Sequence, residues 1–383
     1  MKLCIFGATG SIGSQALDIC RQYPDDFELV GVSAYKNIKK LKAIIQEFRP
    51  PYVAVPTAAC LPELVIPGYT PVYLIGPVAG ADMGAVSGAD RVILAVSGTA
   101  GLLPCERSIR ARIPVALACK EVLVAAGDLI TALAKDYQVP LIPIDSEHVA
   151  IHQCLAYCNY DASRVAQMTL TASGGPFLNQ PDRDLSQVTP EQAIQHPKWS
   201  MGQKISVDSA TLMNKGLEII EAHYLFHVPY AKLTAIIHPQ SLVHSLVRFT
   251  DGTTLAQLGQ PDMHLPIRYA MTYPDYLADQ TRVGLDLTAC EALSFQPIDM
   301  QQFPLFKLAL EAGRQGMPAT TVLTAANECA VQLFLSGYIV LSQVYPIVYN
   351  ALETWQSNTL DSIAAVCDLD TDIKQAINAR YKV

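Results

Sequence analysis

The sequence lacks the features that would assign it to a membrane, nucleic-acid-binding or disordered class. No apolar run reaches the roughly eighteen residues that a bilayer-spanning helix needs. Lys and Arg are not concentrated in any segment and the formal net charge is -8, so we expect no nucleic acid partner, because binding to phosphate backbones depends on clustered positive charge. The sequence contains no long polar low-complexity tract or Gly/Ser linker, which argues against extended disorder.

Signals for secretion and for disulfide formation are also missing. The first predicted strand starts almost at Met1, which leaves no room for a signal peptide. The ten cysteines are scattered and no C-x-x-C pair occurs, so we expect reduced thiols in a cytoplasmic protein with no membrane partner. Cys154 and Cys158 lie at helical spacing near His148 and His152; a zinc site is one interpretation of these four residues, and core packing is the favoured one.

What is present is typical of a compact enzyme of two or three domains. The 383 residues are 50% apolar and 16% charged, enough to bury more than one core. In roughly the first 145 residues, short apolar runs alternate with helical patterns, as in an α/β domain with a doubly wound parallel sheet. The predicted strands are residues 3–6, 27–32, 52–55, 92–96, 115–118 and 141–144.

A glycine-rich turn joins the first strand to the first helix. Gly7, Gly10 and Gly13 directly follow the strand, and a helical pattern starts at Ile12. Glycines permit a tight turn and close backbone approach, while unpaired amides at a helix start attract a pyrophosphate. The turn therefore predicts a dinucleotide-binding domain. Its spacing is G-x-x-G-x-x-G rather than G-x-G-x-x-G, and an ordinary tight turn is the alternative.

The end of the second strand indicates which dinucleotide is bound. An NAD enzyme commonly places an acid there to bind the ribose hydroxyls, but residues 33–37 read Ser-Ala-Tyr-Lys-Asn. Lys36, Lys39 and Lys40 can neutralise a 2′-phosphate, which favours NADPH over NADH. A solvated, lysine-rich helix start is the alternative for Lys39 and Lys40.

Charged residues follow two later strands, at the edge of the sheet where ligands bind in such folds. Lys120 and Glu121 follow one of these strands, and Asp145 and Glu147 follow the next. Alternate residues of an extended segment point the same way, so these two carboxylates can face one Mg²⁺ or Mn²⁺ ion. A helix N-terminus capped by Asp145 is equally compatible with the sequence.

A later helical segment, residues 211–220, adds a third acid. Asn214, Lys215 and Glu218 share its polar face, and a surface ion pair between Lys215 and Glu218 is the simplest interpretation. Gly216 argues for more than that. It costs about 1 kcal/mol relative to Ala in a helix, so we expect close approach of a ligand or of a neighbouring backbone.

Two segments between these acids suit a phosphorylated ligand. Residues 171–177 read Thr-Ala-Ser-Gly-Gly-Pro-Phe, a turn rich in hydroxyl and amide groups. Residues 196–202 combine His196, Trp199 and Met201 with Pro and Gly, a composition typical of a lid that excludes water. A packed loop is the alternative for this second segment.

Together these motifs resemble one family, 1-deoxy-D-xylulose 5-phosphate reductoisomerase, the NADPH-dependent enzyme of the non-mevalonate isoprenoid pathway. The match runs over nearly the whole chain. Besides the segments above, it includes Ser-Val-Asp-Ser-Ala-Thr at 206–211, His-Pro-Gln-Ser at 238–241 and Ala-Ala-Asn-Glu at 325–328. The resemblance implies NADPH and Mg²⁺ or Mn²⁺ as cofactors, a phosphorylated sugar as substrate, and a homodimer.

The resemblance also implies a role for each matching residue. NADPH would be bound by Gly7, Thr9, Gly10, Ser11, Ile12, Tyr35, Lys36, Asn37, Cys119, Glu121 and Gly202. The metal would be held by Asp145, Glu147 and Glu218. The substrate would contact Lys120, Ser146, Glu147, Ser173, His196, Trp199, Met201, Ser209, Asn214, Lys215 and Glu218, with its phosphate on Ser173, Ser209, Asn214 and Lys215. Lys120, Glu147 and His196 are the implied catalytic residues, with Glu147 and Lys120 favoured over His196 for proton transfer.

The implied reaction rearranges the carbon skeleton of 1-deoxy-D-xylulose 5-phosphate through an enolate and an aldehyde, and NADPH then reduces the aldehyde to 2-C-methyl-D-erythritol 4-phosphate. A divalent ion suits the enolate oxygen. Cys119 departs from the Asn that is usual in the family, and Tyr35 departs from a small residue or histidine. A thiol cannot replace the two donors of an amide, so weaker NADPH binding is our hypothesis for Cys119.

Two other functions remain open to the sequence. An acyl-phosphate reductase opens with the same glycine turn and would use Cys119 as its nucleophile, but the three acids would then have no role. A non-catalytic NADP-binding sensor would need neither the acids nor the lid.

The predicted architecture has four parts. These are a Rossmann-like NADPH-binding domain at 1–144, a central α+β catalytic domain at 145–273 with the lid near 196–203, a connecting segment at 274–302, and a C-terminal helical domain at 303–383. The last is predicted from helical periodicity that includes Leu305, Leu308 and Ala312.

Overall fold

The computed structural model of the chain describes residues 1–196, 199, 201–279, 284–290, 292–355 and 359–381. The strands are β1 Lys2–Phe6, β2 Glu28–Ser33, β3 Tyr52–Val55, β4 Val72–Ile75, β5 Arg91–Leu94, β6 Val115–Leu117, β7 Leu141–Pro143, β8 Val165–Ala172, β9 Leu233–Ile237, β10 Val243–Phe249, β11 Thr254–Leu258 and β12 Gln296–Pro297. The α-helices are α1 Ser11–Gln22, α2 Ile38–Phe48, α3 Pro77–Ala81, α4 Met83–Val86, α5 Leu102–Arg110, α6 Glu121–Tyr137, α7 Ser146–Leu155, α8 Pro190–Ala193, α9 Gln203–Ala210, α10 Met213–Phe226, α11 His264–Thr272, α12 Pro304–Gln315, α13 Ala319–Leu335, α14 Val344–Thr354 and α15 Ile363–Tyr381.

The chain forms two compact units. The first contains Met1–Val122, Ile130–Asp145 and Met263–Ala278, and the second contains Leu123–Leu129, Ser146–Asp262 and Asp279–Val383. The second unit includes most of the predicted catalytic domain and the C-terminal helices. The finer division of the chain into four parts stays a prediction.

The first unit is built on a parallel sheet, which confirms the doubly wound α/β prediction. Its strand order is β4-β3-β2-β1-β5-β6-β7, and every neighbouring pair is parallel. Each of the six predicted strands coincides with one of these seven. Strand β4 was missed although its four residues, VYLI, are all apolar or aromatic; they lie exposed or half-exposed at the sheet edge.

The core of the first unit lies between this sheet and its helices. Leu3 and Ile5 of β1 are fully buried and pack with Leu17 of α1, as expected for a parallel strand covered on both faces. Ile267 of α11 joins the same core, although it comes from a distant part of the chain. The buried guanidinium of Arg91 fixes the end of α11 by donating to the carbonyl groups of residues 270, 271 and 273 at 2.5–2.8 Å.

The second unit contains a mixed five-stranded sheet in the order β11-β10-β8-β9-β12. Strands β8 and β9 are parallel and the other pairs are antiparallel. Buried Met168 and Leu170 of β8 pack with Ile151 of α7 and Ile219 of α10 in one core, so one face of the sheet positions the two helices that carry the candidate acids.

The C-terminal part of the second unit is helical, as predicted from periodicity. Helix α13 is buried nearly all round, which places it at the centre of the helical group. Leu305, Leu308 and Ala312 of α12 are buried as the pattern indicated. Among the residues that the structure describes, no helix has the length and apolar character needed to cross a membrane.

Candidate active site

The glycine turn lies where the strand order of the parallel sheet reverses. Strand β1 pairs with β2 on one side and with β5 on the other, and dinucleotides bind at this kind of crevice. Gly7 has a φ of 77°, and a Cβ on it would lie 2.4 Å from the carbonyl oxygen of Ala95. A Cβ on Gly13 would lie 2.3 Å from the carbonyl oxygen of Gly7. Both positions therefore require glycine, the first for its backbone conformation and the second for close packing of helix on strand.

The amide groups at the start of α1 are suited to an anion. The N-cap is Gly10, which has no side chain to accept from them, and the first turn contains no acid. Ser33 at the end of β2 holds the turn from the other side: its Oγ accepts from the amide of Gly7 at 3.1 Å and its carbonyl from the amide of Ala8 at 2.9 Å. Sequence reasoning missed Ser33, although a small hydroxyl residue at this strand end was a visible signal.

A shallow depression lies at the start of α2. It encloses about 440 Å³ and is lined by Lys36, Asn37, Ile38, Lys39 and Glu63. Asn37 caps the helix, since its Oδ1 accepts from the amide of Lys40 at 2.9 Å, and its NH₂ group still has donors for a ligand. Tyr35 is 75% exposed. The predicted cofactor residues of this segment thus border an open, positively charged surface.

Cys119, Lys120 and Glu121 connect β6 to α6 and are all buried. The Cys119 thiol is 1% exposed and donates to the carbonyl oxygen of Gly98 at 2.9 Å. Lys120 Nζ lies 2.5 Å from Asp145 Oδ2. The thiol also lies 3.5 Å from Glu121 Oε2, while Lys120 places a positive charge beside a predicted metal ligand.

In the second unit, Glu147 of α7 and Glu218 of α10 share the ammonium group of Lys215. Lys215 Nζ donates to Glu147 Oε1 at 2.7 Å and also to Glu218 Oε2. Burial opposes the charge of this lysine, but the two carboxylates outweigh it and raise its pKa. The simple surface pair that the spacing suggested for Lys215 and Glu218 is wrong, because both side chains are buried.

The other oxygens of the two carboxylates are also bound. Ser146 Oγ donates to Glu147 Oε2 at 2.6 Å, and Asn214 Nδ2 donates to Glu218 Oε1 at 2.5 Å. Ser146 and Asn214 were predicted as substrate contacts, and here they orient the acids. This arrangement fixes both carboxylates in direction.

Asp145, Glu147 and Glu218 fit a divalent cation in number and chemistry. Glu147 and Glu218 lie together on the ammonium group of Lys215, and Mg²⁺ and Mn²⁺ prefer such hard oxygen donors. Asp145 precedes Glu147 by two residues, so the chain itself keeps these two side chains close. In this structure the ammonium groups of Lys120 and Lys215 form ion pairs with these carboxylates. A bound divalent ion would neutralise the same negative charge.

The zinc interpretation of Cys154 and Cys158 receives no support from the described residues. Both thiols belong to the apolar core of the second unit, and neither appears in a group of three donors able to hold a metal. Burial raises the pKa of Cys154 to about 11, which disfavours a thiolate ligand. Core packing is confirmed for this pair.

Two buried residues behind the acids were missed at the sequence level. His148 Nε2 lies 2.9 Å from the carbonyl oxygen of Glu218 and 3.5 Å from Glu221 Oε2. All three residues are at most 1% exposed. The imidazole thereby connects α7 to the turn of α10 that carries Glu218. The sequence signal for Glu221 was a second acid three residues after Glu218 on the same helix.

The hydroxyl-rich turn after β8 packs against the end of α9. Gly174 and Gly175 have φ values of 87° and 70°, and a Cβ on Gly175 would lie 2.6 Å from the carbonyl oxygen of Ser209. This contact brings the segment that contains Ser173 close to the segment that contains Ser209. These two serines are among the four residues predicted to bind the phosphate.

His196 is bound to this turn in a defined tautomer. Its Nδ1 accepts from the amide of Trp199 at 2.9 Å, so Nε2 carries the proton and donates to Ser173 Oγ at 2.8 Å. Burial lowers the pKa of His196 to about 4, against the opposing effect of the Glu147 charge, so the ring is neutral at physiological pH. Ser173 Oγ also accepts from the amide of Gly175 at 3.3 Å, which leaves the hydroxyl proton to donate to a ligand.

The rest of the predicted lid is described only in part, because Pro197, Lys198 and Ser200 lie outside the described residues. The Trp199 ring is 6.1 Å from the ring of His244. Met201 is half-buried, and Gly202 is the exposed N-cap of α9. The lid function of this segment stays a prediction.

Several residues of the motifs that carry the family resemblance make contacts within the fold. Asn327 Nδ2 donates to Asp208 Oδ1 at 2.8 Å, which joins α13 to α9. His238 Nε2 accepts from the amides of Leu242 and Val243, and its Nδ1 donates to a carbonyl group. The close approach expected at Gly216 is with the neighbouring helix α12, since a Cβ there would lie 2.4 Å from the Cβ of Ala309.

A phosphate-binding turn on a parallel sheet and a cluster of hard carboxylates in a second unit define a dinucleotide-dependent oxidoreductase with a cation site. Family models agree with this class. Residues 3–127 match 1-deoxy-D-xylulose 5-phosphate reductoisomerase, residues 141–226 match the C-terminal domain of that enzyme, and residues 258–376 match the DXP reductoisomerase C-terminal domain.

Individual relatives give the same result over the full length. The chain is 43% identical to 1-deoxy-D-xylulose 5-phosphate reductoisomerase of Geobacillus sp. (strain WCH70), over 98% of this chain and 99% of the relative. It is 44% identical to the enzyme of Chlorobaculum tepidum, over 94% and 95%. The chain therefore belongs to the 1-deoxy-D-xylulose 5-phosphate reductoisomerase family.

Solved structures share the fold. A DOX-P reductoisomerase in complex with NADPH, fosmidomycin and magnesium superposes with a TM-score of 0.93 at 36% identity, covering 100% of this chain and 98% of that chain. The Zymomonas mobilis enzyme in complex with NADPH gives a TM-score of 0.89 at 35% identity, covering 99% and 98%.

Proposed function

We propose that this chain converts 1-deoxy-D-xylulose 5-phosphate into 2-C-methyl-D-erythritol 4-phosphate, consuming NADPH and requiring Mg²⁺ or Mn²⁺. The observation that carries the proposal is the arrangement of Glu147 and Glu218, two carboxylates on different helices that share the ammonium group of Lys215. A surface ion pair or a helix cap does not explain a buried acid and a half-buried acid that share one buried lysine. Family membership supplies the substrate.

The acids and the glycine turn divide the binding tasks. Asp145, Glu147 and Glu218 would hold the divalent ion, and Gly7, Gly10 and the start of α1 would hold the NADPH pyrophosphate. When bound, the ion supplies positive charge to the substrate's hydroxyl and carbonyl oxygens, and NADPH supplies the hydride. The protein's own contribution is to orient the carboxylates through Ser146, Asn214 and His148.

The segment of Ser173 provides the phosphate end of the site. The Ser173 hydroxyl donates outward because its oxygen already accepts from His196 and from Gly175. The N–H group of Gly174 and the hydroxyl of Ser209 add further donors nearby. A neutral His196 holds the serine in place rather than accepting a proton, since its Nδ1 is bound by the amide of Trp199.

Proton transfer falls to Glu147 and Lys120 by this argument. The Glu147 carboxylate accepts from Lys215 and from Ser146, so it can take a proton from a substrate hydroxyl through the Ser146 side chain. The ammonium group of Lys120 is paired with Asp145 and can donate a proton to the substrate.

The test is NADPH oxidation with 1-deoxy-D-xylulose 5-phosphate, with and without a chelator, followed by addition of Mg²⁺ or Mn²⁺. We expect activity that the chelator abolishes and the metal restores. Glu218→Gln removes one ligand charge and should raise the metal concentration at half-maximal rate by tenfold or more, whereas exposed Glu311→Gln on α12 should not. Metal-independent turnover, or equal metal requirements in both variants, would overturn the cation site.

The acyl-phosphate reductase alternative makes an opposite prediction for Cys119. A nucleophilic cysteine has to be accessible and thiolate-forming, but this thiol is buried and donates to Gly98. Cys119→Ser should therefore retain turnover with 1-deoxy-D-xylulose 5-phosphate. An inactive but folded variant would favour the alternative, and a chain that binds NADPH without turning over this substrate would favour the sensor.

We also propose a homodimer, and the exposed face of the second sheet is the surface for the partner copy. Thr169, Leu246 and Ala256 lie side by side on neighbouring strands, opposite the face that packs on α7. These side chains are small or apolar and at least partly exposed. Leu246→Glu should halve the mass measured by light scattering, and an unchanged mass would refute this surface.

The cytoplasmic location remains part of the proposal. All ten cysteines are free thiols, which is typical of proteins in a reducing compartment. Recovery of the activity in the soluble cytoplasmic fraction of the producing cell would support this location, and recovery in an exported fraction would refute it.

A further inference from the structure

Lys36, Lys39 and Lys40 at the start of α2 have different surroundings, although the sequence predicts the same role for all three. Lys36 and Lys39 line the depression at the start of the helix. Lys40 lies outside it and extends to the glycine turn, where its Nζ donates to the carbonyl oxygen of Thr9 at 3.1 Å and to Ser14 Oγ at 2.6 Å.

The contact of Lys40 is built into the turn from both sides. Ser14 Oγ, which accepts from Lys40, itself donates to the carbonyl oxygen of Gly10 at 2.6 Å. At the other end, the Asn37 cap accepts from the amide of Lys40 and fixes the origin of its side chain. Lys40 thus connects the start of α2 to the backbone on which the pyrophosphate would lie.

The electrostatic consequence differs between the two parts of the cofactor. The amides at the start of α1 attract a pyrophosphate, whereas the carbonyl oxygen of Thr9 in the same turn carries a partial negative charge that would repel it. An ammonium group on that oxygen cancels this charge and keeps the turn in one conformation. In the depression, by contrast, Lys36 and Lys39 line the surface together with Glu63 and are exposed to solvent.

We propose that Lys40 is a positioning residue for the pyrophosphate turn, which NADPH and NADH share, and not a ligand of the 2′-phosphate, for which the sequence already indicates Lys36 and Lys39. This proposal rests on the proposed use of NADPH. It separates affinity from selectivity: Lys40 sets how tightly either dinucleotide binds, and the other two lysines set the preference between them.

The test measures dissociation constants for NADPH and NADH by fluorescence titration, without substrate or metal. Lys40→Met should weaken both dinucleotides by about tenfold, corresponding to about 1.4 kcal/mol, and leave the ratio of the two constants unchanged. Lys39→Met should weaken NADPH by about tenfold and NADH by less than twofold. Lys42→Met, on the same helix and outside the depression, is the matched control for loss of charge and should change neither constant.

A second pair of probes isolates the phosphate group. Adenosine 2′,5′-bisphosphate should lose affinity in Lys39→Met, and 5′-AMP should not. Lys40→Arg keeps a donor that can reach Thr9 and Ser14, so it should bind both dinucleotides more tightly than Lys40→Met, a rescue that a general loss of stability would not give.

The proposal is overturned if Lys40→Met changes the ratio of the two constants, if it changes neither constant, or if Lys39→Met weakens both dinucleotides equally. A wild-type chain that binds NADPH but does not turn over 1-deoxy-D-xylulose 5-phosphate would refute the proposed function alone. A wild-type chain that binds neither dinucleotide would refute both.

Discussion

Replacing Gly216 with Ala should destabilise the second unit even though Ala is the better helix former. The new Cβ would lie 2.4 Å from the Cβ of Ala309, whereas carbon atoms pack at about 3.5 to 4.0 Å, so α10 and α12 would have to separate by roughly 1 Å. Overpacking of this kind costs about 1 to 3 kcal/mol, and better helix propensity returns about 1 kcal/mol. We expect a net loss of about 1 kcal/mol in the free energy of unfolding.

The structure also supplies the compensating change. In Gly216→Ala with Ala309→Gly, the Cβ moves from one helix to the other, and its nearest remaining neighbours lie at 3.6 Å and 3.8 Å, which is ordinary contact. The propensity terms at the two positions cancel at about 1 kcal/mol each, so the double variant should be nearly as stable as the wild type. Ala309→Gly alone should lose about 2 kcal/mol, from propensity and from one buried methyl group.

The assay is a double-mutant cycle in chemical denaturation, with a favourable coupling energy of about 2 to 3 kcal/mol expected. The Mg²⁺ concentration at half-maximal rate gives a second measurement, because Lys215 and Glu218 flank Gly216 on α10. It should rise in Gly216→Ala and return in the double variant. If the single variant is as stable as the wild type, or if Ala309→Gly does not compensate, the close contact between α10 and α12 is refuted.

Three further predictions concern other parts of the chain. Cys119→Asn adds an amide at the cofactor site and should tighten NADPH binding roughly fivefold, the effect of one hydrogen bond of about 1 kcal/mol; an unchanged dissociation constant would sink this idea. Burial lowers the pKa of His152 to about 4, so the unfolded chain binds more protons than the folded one between pH 6.5 and 4. The free energy of unfolding should therefore fall by up to about 3 kcal/mol as the pH drops through that window. His152→Gln should remove this part of the acid sensitivity, and identical pH profiles of unfolding would contradict the assignment. Arg91→Met leaves three carbonyl groups without their donor and should lower the free energy of unfolding by about 3 kcal/mol or more in thermal unfolding. Exposed Arg110→Met should lower it by about 0.5 kcal/mol. Equal losses would show that the buried hydrogen bonds of Arg91 stabilise the fold no more than an exposed arginine does.

The sequence predicted the parallel sheet because its strands are buried on both faces. Such strands appear as apolar runs, and all six predicted runs correspond to strands. The edge strand β4 was missed although Val72–Ile75 also form an apolar run, and their exposure at the sheet edge is visible only in the structure. The glycine turn was equally visible, because Gly7 and Gly13 occupy places that no other residue fits.

By itself the sequence also determined the family, since motif types and their order are properties of the chain. It brought Asp145 and Glu147 together as well, because two residues of separation limit how far apart they can be. Spacing alone also allowed a surface pair of Lys215 and Glu218, an alternative that the burial of both side chains excludes.

Only the tertiary structure decided how distant residues share a site. The packing of α7 beside α10 brings Glu147 to Lys215 across 68 positions of sequence, and the contact of Gly216 with Ala309 explains a glycine that the sequence could attribute equally to a ligand. The same holds for the proton on His196, which the Trp199 amide assigns to Nε2. Charge, burial and hydrogen-bond direction depend on neighbours that the chain supplies from far away, and local pattern does not contain them.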